Sequence, residues 1–231
     1  MRKRIVFVLN NLQYADGVAK VLVELCNFLD EKLFDITIIP IYRCDSNFIK
    51  LLKPHIHIQK TLGFYFRGLD KIVNALPIRF LYQKIVGGNY DIEVAFQYGL
   101  ATRMIANSTN HNAKHYAWMH GYDEGLTLGK EYPKFDKVFC VSKFNEERLR
   151  RESNGTVNVD CCYNIIDESK ILKASKDEIS EDTSQKPIFV AVGRQTPEKG
   201  FLRLVDVVNR LKKDGYQFTL WLIGDGAEHQ Q

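Results

Sequence analysis

The residues best suited to chemistry lie in Gly193-Arg194-Gln195-Thr196-Pro197-Glu198-Lys199-Gly200, between an apolar run, Ile188 to Val192, and a helical pattern that ends near Lys213. A strand that feeds a helix through a glycine-bearing turn brings backbone N–H groups and the positive end of the helix dipole to one spot, which favours an anion. Arg194 adds a planar fork for two phosphate oxygens, and Lys199 adds a compact charge at the expected helix start. A diphosphate fits that combination. An ordinary strand-to-helix turn carrying two solvated cations is the competing reading.

His120, in Trp118-Met119-His120-Gly121, is the second candidate. It falls just past a predicted strand, at the carboxyl edge where open α/β sheets bind ligands. A surface or capping histidine is the alternative. His111 and His115 have the spacing of two helical metal ligands, yet Asn112 breaks the H-E-x-x-H pattern and no third ligand is at hand, so no metal site is expected there. Cys161 and Cys162 are adjacent and no C-x-x-C pair exists, which points to a reduced, cytoplasmic setting and away from zinc.

Positioning these groups falls to an alternation of strand-like and helix-like runs, the pattern of a parallel sheet with crossover helices. Strands are expected at Ile5–Leu9, Ile36–Ile41, Ile92–Phe96, His115–Met119 and Lys137–Val141, each apolar enough to be covered on both faces. Val18, Leu22, Leu25 and Leu29 recur at helical spacing, and Ser142 is placed to cap a polar helix over Lys143 to Arg151. Cys26 falls in a helix, Cys140 in a strand and Cys44 in a loop.

With 45% hydrophobic and 26% charged residues the chain can bury a core. The net charge of +4 is spread out, favouring acidic ligands or anionic membrane surfaces without demanding nucleic acid, and no aromatic-basic RNA-binding signature is present. Met1-Arg2-Lys3-Arg4 looks like the start of a signal peptide, but the apolar run behind it, Ile5 to Leu9, is too short and reads as the first strand.

The order G-R-x-x-x-E-K-G, then a strand from Phe218 to Ile223 running into Gly224-Asp225-Gly226, resembles the second domain of the retaining glycosyltransferases of family 4, which have the GT-B fold. Asp16-Gly17-Val18-Ala19-Lys20-Val21-Leu22 resembles that family's G-G-x-E-[RK]-V-L turn, and Asn164-Ile165-Ile166-Asp167 its N-x-[IV]-D loop. The segments run in the family's order along essentially the whole chain. The resemblance implies an α/β, GT-B-type protein: a Rossmann-like N-terminal domain with a parallel sheet, followed by the beginning of a second Rossmann-like domain. It implies a nucleotide-diphosphate sugar as substrate, no cofactor, and a glycan or lipid-linked acceptor, as in cell-surface polysaccharide synthesis.

Carried over residue by residue, the resemblance assigns donor binding to Gly193, Arg194, Lys199 and Gly224, with Arg194 and Lys199 stabilising the departing diphosphate. It sets His120 against the transferred sugar and Asp16 and Gly17 in the acceptor-side turn, with Asp167 in an interdomain loop. Asp16 stands where many members have glycine, and Ala19 replaces the usual glutamate, which weakens any phosphate role for that turn. No D-x-D motif follows a strand, in keeping with metal-independent GT-B chemistry. A nucleotide-sugar epimerase of similar architecture and a non-catalytic binding fragment fit the same pattern.

The expected division is an acceptor-side domain over 1–172, a polar linker or exposed helix over 173–186, and a nucleotide-sugar domain from 187 to 231. Only one strand–helix–strand unit follows that linker, against about four to six strands in an open sheet. The chain is therefore expected to stop inside its second domain, without the family's E-x7-E pair, and to turn over little donor by itself. The segment Thr61 to Gly88 keeps two readings. It interleaves Phe64, Tyr65, Phe66, Leu69, Ile72, Val73, Leu76, Phe80 and Leu81 with Arg67, Lys71, Arg79 and Lys84, which suits packing on the sheet or peripheral contact with the inner face of an anionic membrane. Pro77 must interrupt its helix.

Overall fold

The structure is a computed structural model, and it describes residues 1–13, 17–59, 61–62, 64–121 and 129–229. The chain divides into two compact units, Met1–Glu168 and Ser169–Gln231.

In the first unit the elements follow as β1 (Lys3–Leu12), α1 (Gly17–Phe28), β2 (Phe34–Cys44), α2 (Ser46–Ile49), β3 (His57–Ile58), α3 (Leu69–Ala75), α4 (Ile78–Ile85), β4 (Ile92–Ala95), α5 (Leu100–Ile105), β5 (Lys114–Met119), β6 (Lys137–Cys140), α6 (Lys143–Glu152) and β7 (Val159–Cys161). The strands form one sheet in the order β3-β2-β1-β4-β5-β6-β7, every neighbouring pair parallel. Alternation along β1 explains the layering. Val6 and Val8 enter one core with Ile39, Ile41, Leu81, Met104 and Leu149, while Ile5, Phe7 and Leu9 enter the other with Leu22, Cys26, Ile36 and Ile38. Both sheet faces are thus covered, as a parallel sheet requires.

Local chemistry sets the helix starts. Ser142 Oγ accepts the Asn145 N–H at 3.2 Å and caps α6, where Lys143 and Arg150 both pair with Glu146. Pro77 separates α3 from α4 and occupies the cap position of α4. Cys44, expected in a loop, is the last residue of β2, because that strand runs three residues past Ile41 alongside the extended end of β1. The short strands β3 and β7 were not expected: two or three residues carry no period, and Asp160 breaks the apolar run of the second.

The second unit contains α7 (Glu168–Ala174, which begins at the boundary), β8 (Ile188–Val192), α8 (Phe201–Lys213) and β9 (Thr219–Ile223). β8 and β9 pair in parallel, from Ile188 opposite Thr219 to Val192 opposite Ile223. Residues 175–187 are exposed and form no regular element.

Candidate functional site

In the first unit the strand order reverses direction between β1 and β4, the position at which open α/β sheets leave a crevice beyond their carboxyl ends. A cavity of about 360 Å³ occupies it, lined by Asn10 and Asn11 at the end of β1, Gln97 and Tyr98 after β4, Trp118 to Gly121 at the end of β5, and Val18 and Tyr132. Among these residues none carries a formal charge; three are aromatic and three are amides.

The rim is held by its own amides. Gln97 Oε1 accepts the N–H groups of Asn10 and Asn11 at 2.9 and 3.2 Å. Asn10 donates its Nδ2 to the Tyr98 carbonyl at 2.7 Å, and its Oδ1 accepts the Ala101 N–H at 3.3 Å. His120 lies on this rim, as its place in the sequence implied. Its Nε2 is 3.1 Å from the Phe96 carbonyl oxygen, and its ring meets the Phe96 ring edge-on at 4.7 Å. A carbonyl only accepts, so a neutral ring bonded in this way carries its proton on Nε2. Trp118 packs between Phe96 and Phe139, and its buried indole N–H has no partner among the described residues.

The sequence reading singled out His120 and passed over Trp118, Tyr98, Asn10, Gln97 and Tyr132. The available signal was positional, since most of them stand within a few residues of a strand's carboxyl end. Gly17 opens α1 beside the cavity residue Val18, and a methyl group added to it would meet nothing within 4 Å, so the fold itself does not demand glycine there. Asp16 lies outside the described residues. Asp167 directly precedes α7.

The amino edge of the same sheet carries a different polar cluster. Glu93, fully buried, accepts the Tyr82 hydroxyl at 2.6 Å and the Asn110 amide at 3.1 Å on Oε1, and His115 Nε2 lies 3.4 Å from Oε2. Burial works to raise the carboxyl pKa, but the hydrogen bonds from His115, Tyr82, Ser108 and Asn110 outweigh it and hold Glu93 below its ordinary value. Burial, then the bond to Glu93, pushes the Tyr82 phenol up. His115 is thus engaged with a carboxylate.

In the second unit the turns after β8 and β9 run side by side. Gly193 N–H donates to the Ile223 carbonyl at 3.0 Å and Gln195 N–H to the Asp225 carbonyl at 2.8 Å. Gly224 has φ +143, and a Cβ there would collide with the Gly193 carbonyl oxygen, so close approach of the two turns requires glycine. Buried Gln195 is anchored by His229, whose Nδ1 is 2.7 Å from its Oε1.

The two cations differ in setting. Arg194 Nη2 lies 3.4 Å from Glu198 Oε1, both side chains exposed. Glu198 is held below its ordinary carboxyl range, first by its own backbone N–H and more weakly by Arg194 and Lys199. Lys199 closes a single 3₁₀ turn, Pro197–Lys199, and does not itself begin the helix; α8 starts at Phe201, after Gly200 in the left-handed region at φ +70. The proline and the left-handed glycine explain the offset, since together they separate the tight turn from the helix.

No family model matches the chain, and no curated protein does. Solved structures do. A glycosyltransferase from Rickettsia africae ESF-5 aligns with TM-score 0.59 at 20% identity over 99% of this chain and 62% of its own. Apo UGT2 from Phytolacca americana aligns with TM-score 0.57 at 12% identity over 99% of this chain and 65% of its own. The same enzyme complexed with UDP-2fluoro-glucose and pterostilbene aligns with TM-score 0.52 at 14% identity, over 96% and 66%. This chain therefore spans about 62–66% of the length of those structures. The likeness establishes an α/β, Rossmann-like fold of the kind found in glycosyltransferases.

Proposed function

We propose that the protein is a glycosyltransferase of the family 4 type that moves a hexosyl group from a nucleotide-diphosphate sugar to a hydroxyl of a glycan or lipid-linked acceptor, with retention of configuration and without a metal ion. The observation that carries this reading is the aromatic-walled cavity at the switch point of the first sheet, with no formal charge among the described residues that line it. Aromatic faces and neutral hydrogen-bonding groups suit a hydroxyl-rich or ring-shaped acceptor, whereas a phosphate would call for cations, and none is among the described residues that line this cavity. The fold neighbour complexed with UDP-2fluoro-glucose and pterostilbene supports a nucleotide sugar as donor.

In this reading the diphosphate binds the Gly193–Gly200 turn. As the anomeric carbon–oxygen bond breaks, negative charge grows on the leaving diphosphate, and Arg194 and Lys199 stabilise it more in the transition state than in the ground state. Arg194 must exchange its Glu198 partner for phosphate oxygens, which the exposed pair allows at little cost. His120 orients a sugar hydroxyl. Gly17 lies beside the acceptor.

The test, on a form of the protein whose second domain is complete, is acceptor-dependent release of nucleoside diphosphate from a panel of nucleotide sugars, with the product's anomeric configuration read by NMR. Retention, undiminished in EDTA, is the expected result. An altered free sugar formed without acceptor, or inversion, would overturn the reading.

A further inference from the structure

We propose that the outward face of the segment from Phe64 to Lys84 is a docking surface for an anionic lipid bilayer. The inward side chains of α3 and α4, Leu69, Val73, Leu81, Tyr82 and Ile85, are buried in the core, so both helices are fixed to the sheet. That accounts for one half of the apolar residues that helical spacing brings together. The other half faces water: Phe64 is 55% exposed, Phe66 49%, Ile72 58%, Leu76 42% and Phe80 47%. A surface helix of a globular protein ordinarily turns polar side chains outward. Here Ile72 is exposed on α3, Leu76 is exposed at that helix's extended C-cap, Phe80 lies in α4 just beyond Pro77, and Phe64 and Phe66 stack with ring centroids 6.3 Å apart.

The charge of the segment is predominantly positive. Arg67, Arg79 and Lys84 are exposed within the segment, and Asp70 is its single carboxylate in the sequence. The Lys84 ammonium lies 5.9 Å from the Phe80 ring centroid, so cation and ring present a joint surface. Aromatic rings seated at the headgroup level, with lysine and arginine stems reaching to phosphates, are the standard chemistry of interfacial attachment. No helix among the described residues is long and apolar enough to cross a membrane, so the attachment would be peripheral. The proposal does not rest on the transfer reading, because vesicle binding is measured without turnover.

The experiment is co-sedimentation of the full chain with phosphatidylcholine vesicles and with vesicles containing about one third phosphatidylglycerol. Binding to the anionic vesicles, lost at raised salt, is expected. Arg79→Glu/Lys84→Glu should weaken it at least about 25-fold, since each cation near such a surface counts for about five-fold. Phe64→Ser/Phe66→Ser and Phe80→Ser should each weaken it about ten-fold with an unchanged thermal midpoint. Lys212→Glu/Lys213→Glu, the same charge change on α8, should leave it intact. Equal binding to both vesicle types, binding to neither, or equal loss in the α8 control would overturn the proposal. So would a dimer in sedimentation equilibrium that the phenylalanine variants abolish, which would give this face to a second copy of the chain.

Discussion

The cavity of the first unit and the cationic turn of the second are both ligand-sized features at strand ends, yet they are built on opposite plans. The cavity is assembled from the ends of three strands, the Asn10 and Gln97 amides are spent on holding its own rim, and its described residues offer walls without formal charge. The turn is one contiguous stretch that offers two exposed cations but little wall, and the N–H groups of Gly193, Gln195, Thr196, Lys199 and Gly200 are already spent on carbonyls. In the proposed function this difference would separate recognition of a neutral acceptor, which needs shape and aromatic faces, from recognition of a diphosphate, which needs charge that strengthens as the leaving group departs. Volume alone would mislead here: an opening of about 670 Å³ at the sheet's amino edge is larger than the cavity, but Tyr82 and Asn110 in its wall are committed to Glu93.

Removing charge from the turn should have the largest effect. Arg194→Ala or Lys199→Ala is expected to cost about 2–4 kcal/mol in transition-state stabilisation, read as a fall in kcat/KM of order 10²–10³. Unchanged turnover in both variants would break the comparison at its charged end.

The amino-edge cluster should behave as scaffold. Glu93→Gln replaces a carboxylate that receives charge-assisted hydrogen bonds and should cost about 2–3 kcal/mol of stability at neutral pH. Because the folded-state pKa lies below the ordinary carboxyl value, that stabilisation is present above the ordinary range and lost as pH falls through the folded value. Urea midpoints of wild type and variant should therefore converge in acid. A constant gap across that range would remove Glu93 from the account of acid stability.

Tyr98 lines the cavity and is exposed, so Tyr98→Ala tests the wall without disturbing the core. Acceptor KM should rise about 2- to 12-fold, the worth of one aromatic contact, with donor KM unchanged. A rise in donor KM instead would place the nucleotide in the first unit. The smallest effect is expected from Glu198→Gln, which releases Arg194 from its exposed partner. Affinity for nucleoside diphosphate should improve by up to about five-fold in calorimetry. Weaker binding would mean that Glu198 itself holds the ligand.

How much of this was legible in the sequence follows from the same contrast. Gly193 to Gly200 could be read directly because its parts are neighbours in the chain, and the long strands could be read because Ile5–Leu9 and Ile188–Val192 are unbroken apolar runs and Ile36–Ile41 is interrupted only by Thr37. His120 was found because Gly121 marks a strand end. The rest of the cavity was not legible: Asn10, Gln97 and Trp118 meet only because β1, β4 and β5 are adjacent in the sheet, a pairing that no local spacing encodes. The segment around α3 and α4 shows the limit of periodicity, which brought core and surface apolar residues into one pattern that only burial divides.

The central claim is that charged and uncharged parts of the substrates go to different structures, and amide hydrogen exchange in the presence of UDP, GDP or ADP alone tests it most directly. The account predicts protection at 193–200 and 224–226 by at least one of these nucleotides, with 97–98 and 118–121 unchanged. Protection of the first-unit cavity residues, with 193–200 unaffected, would contradict it.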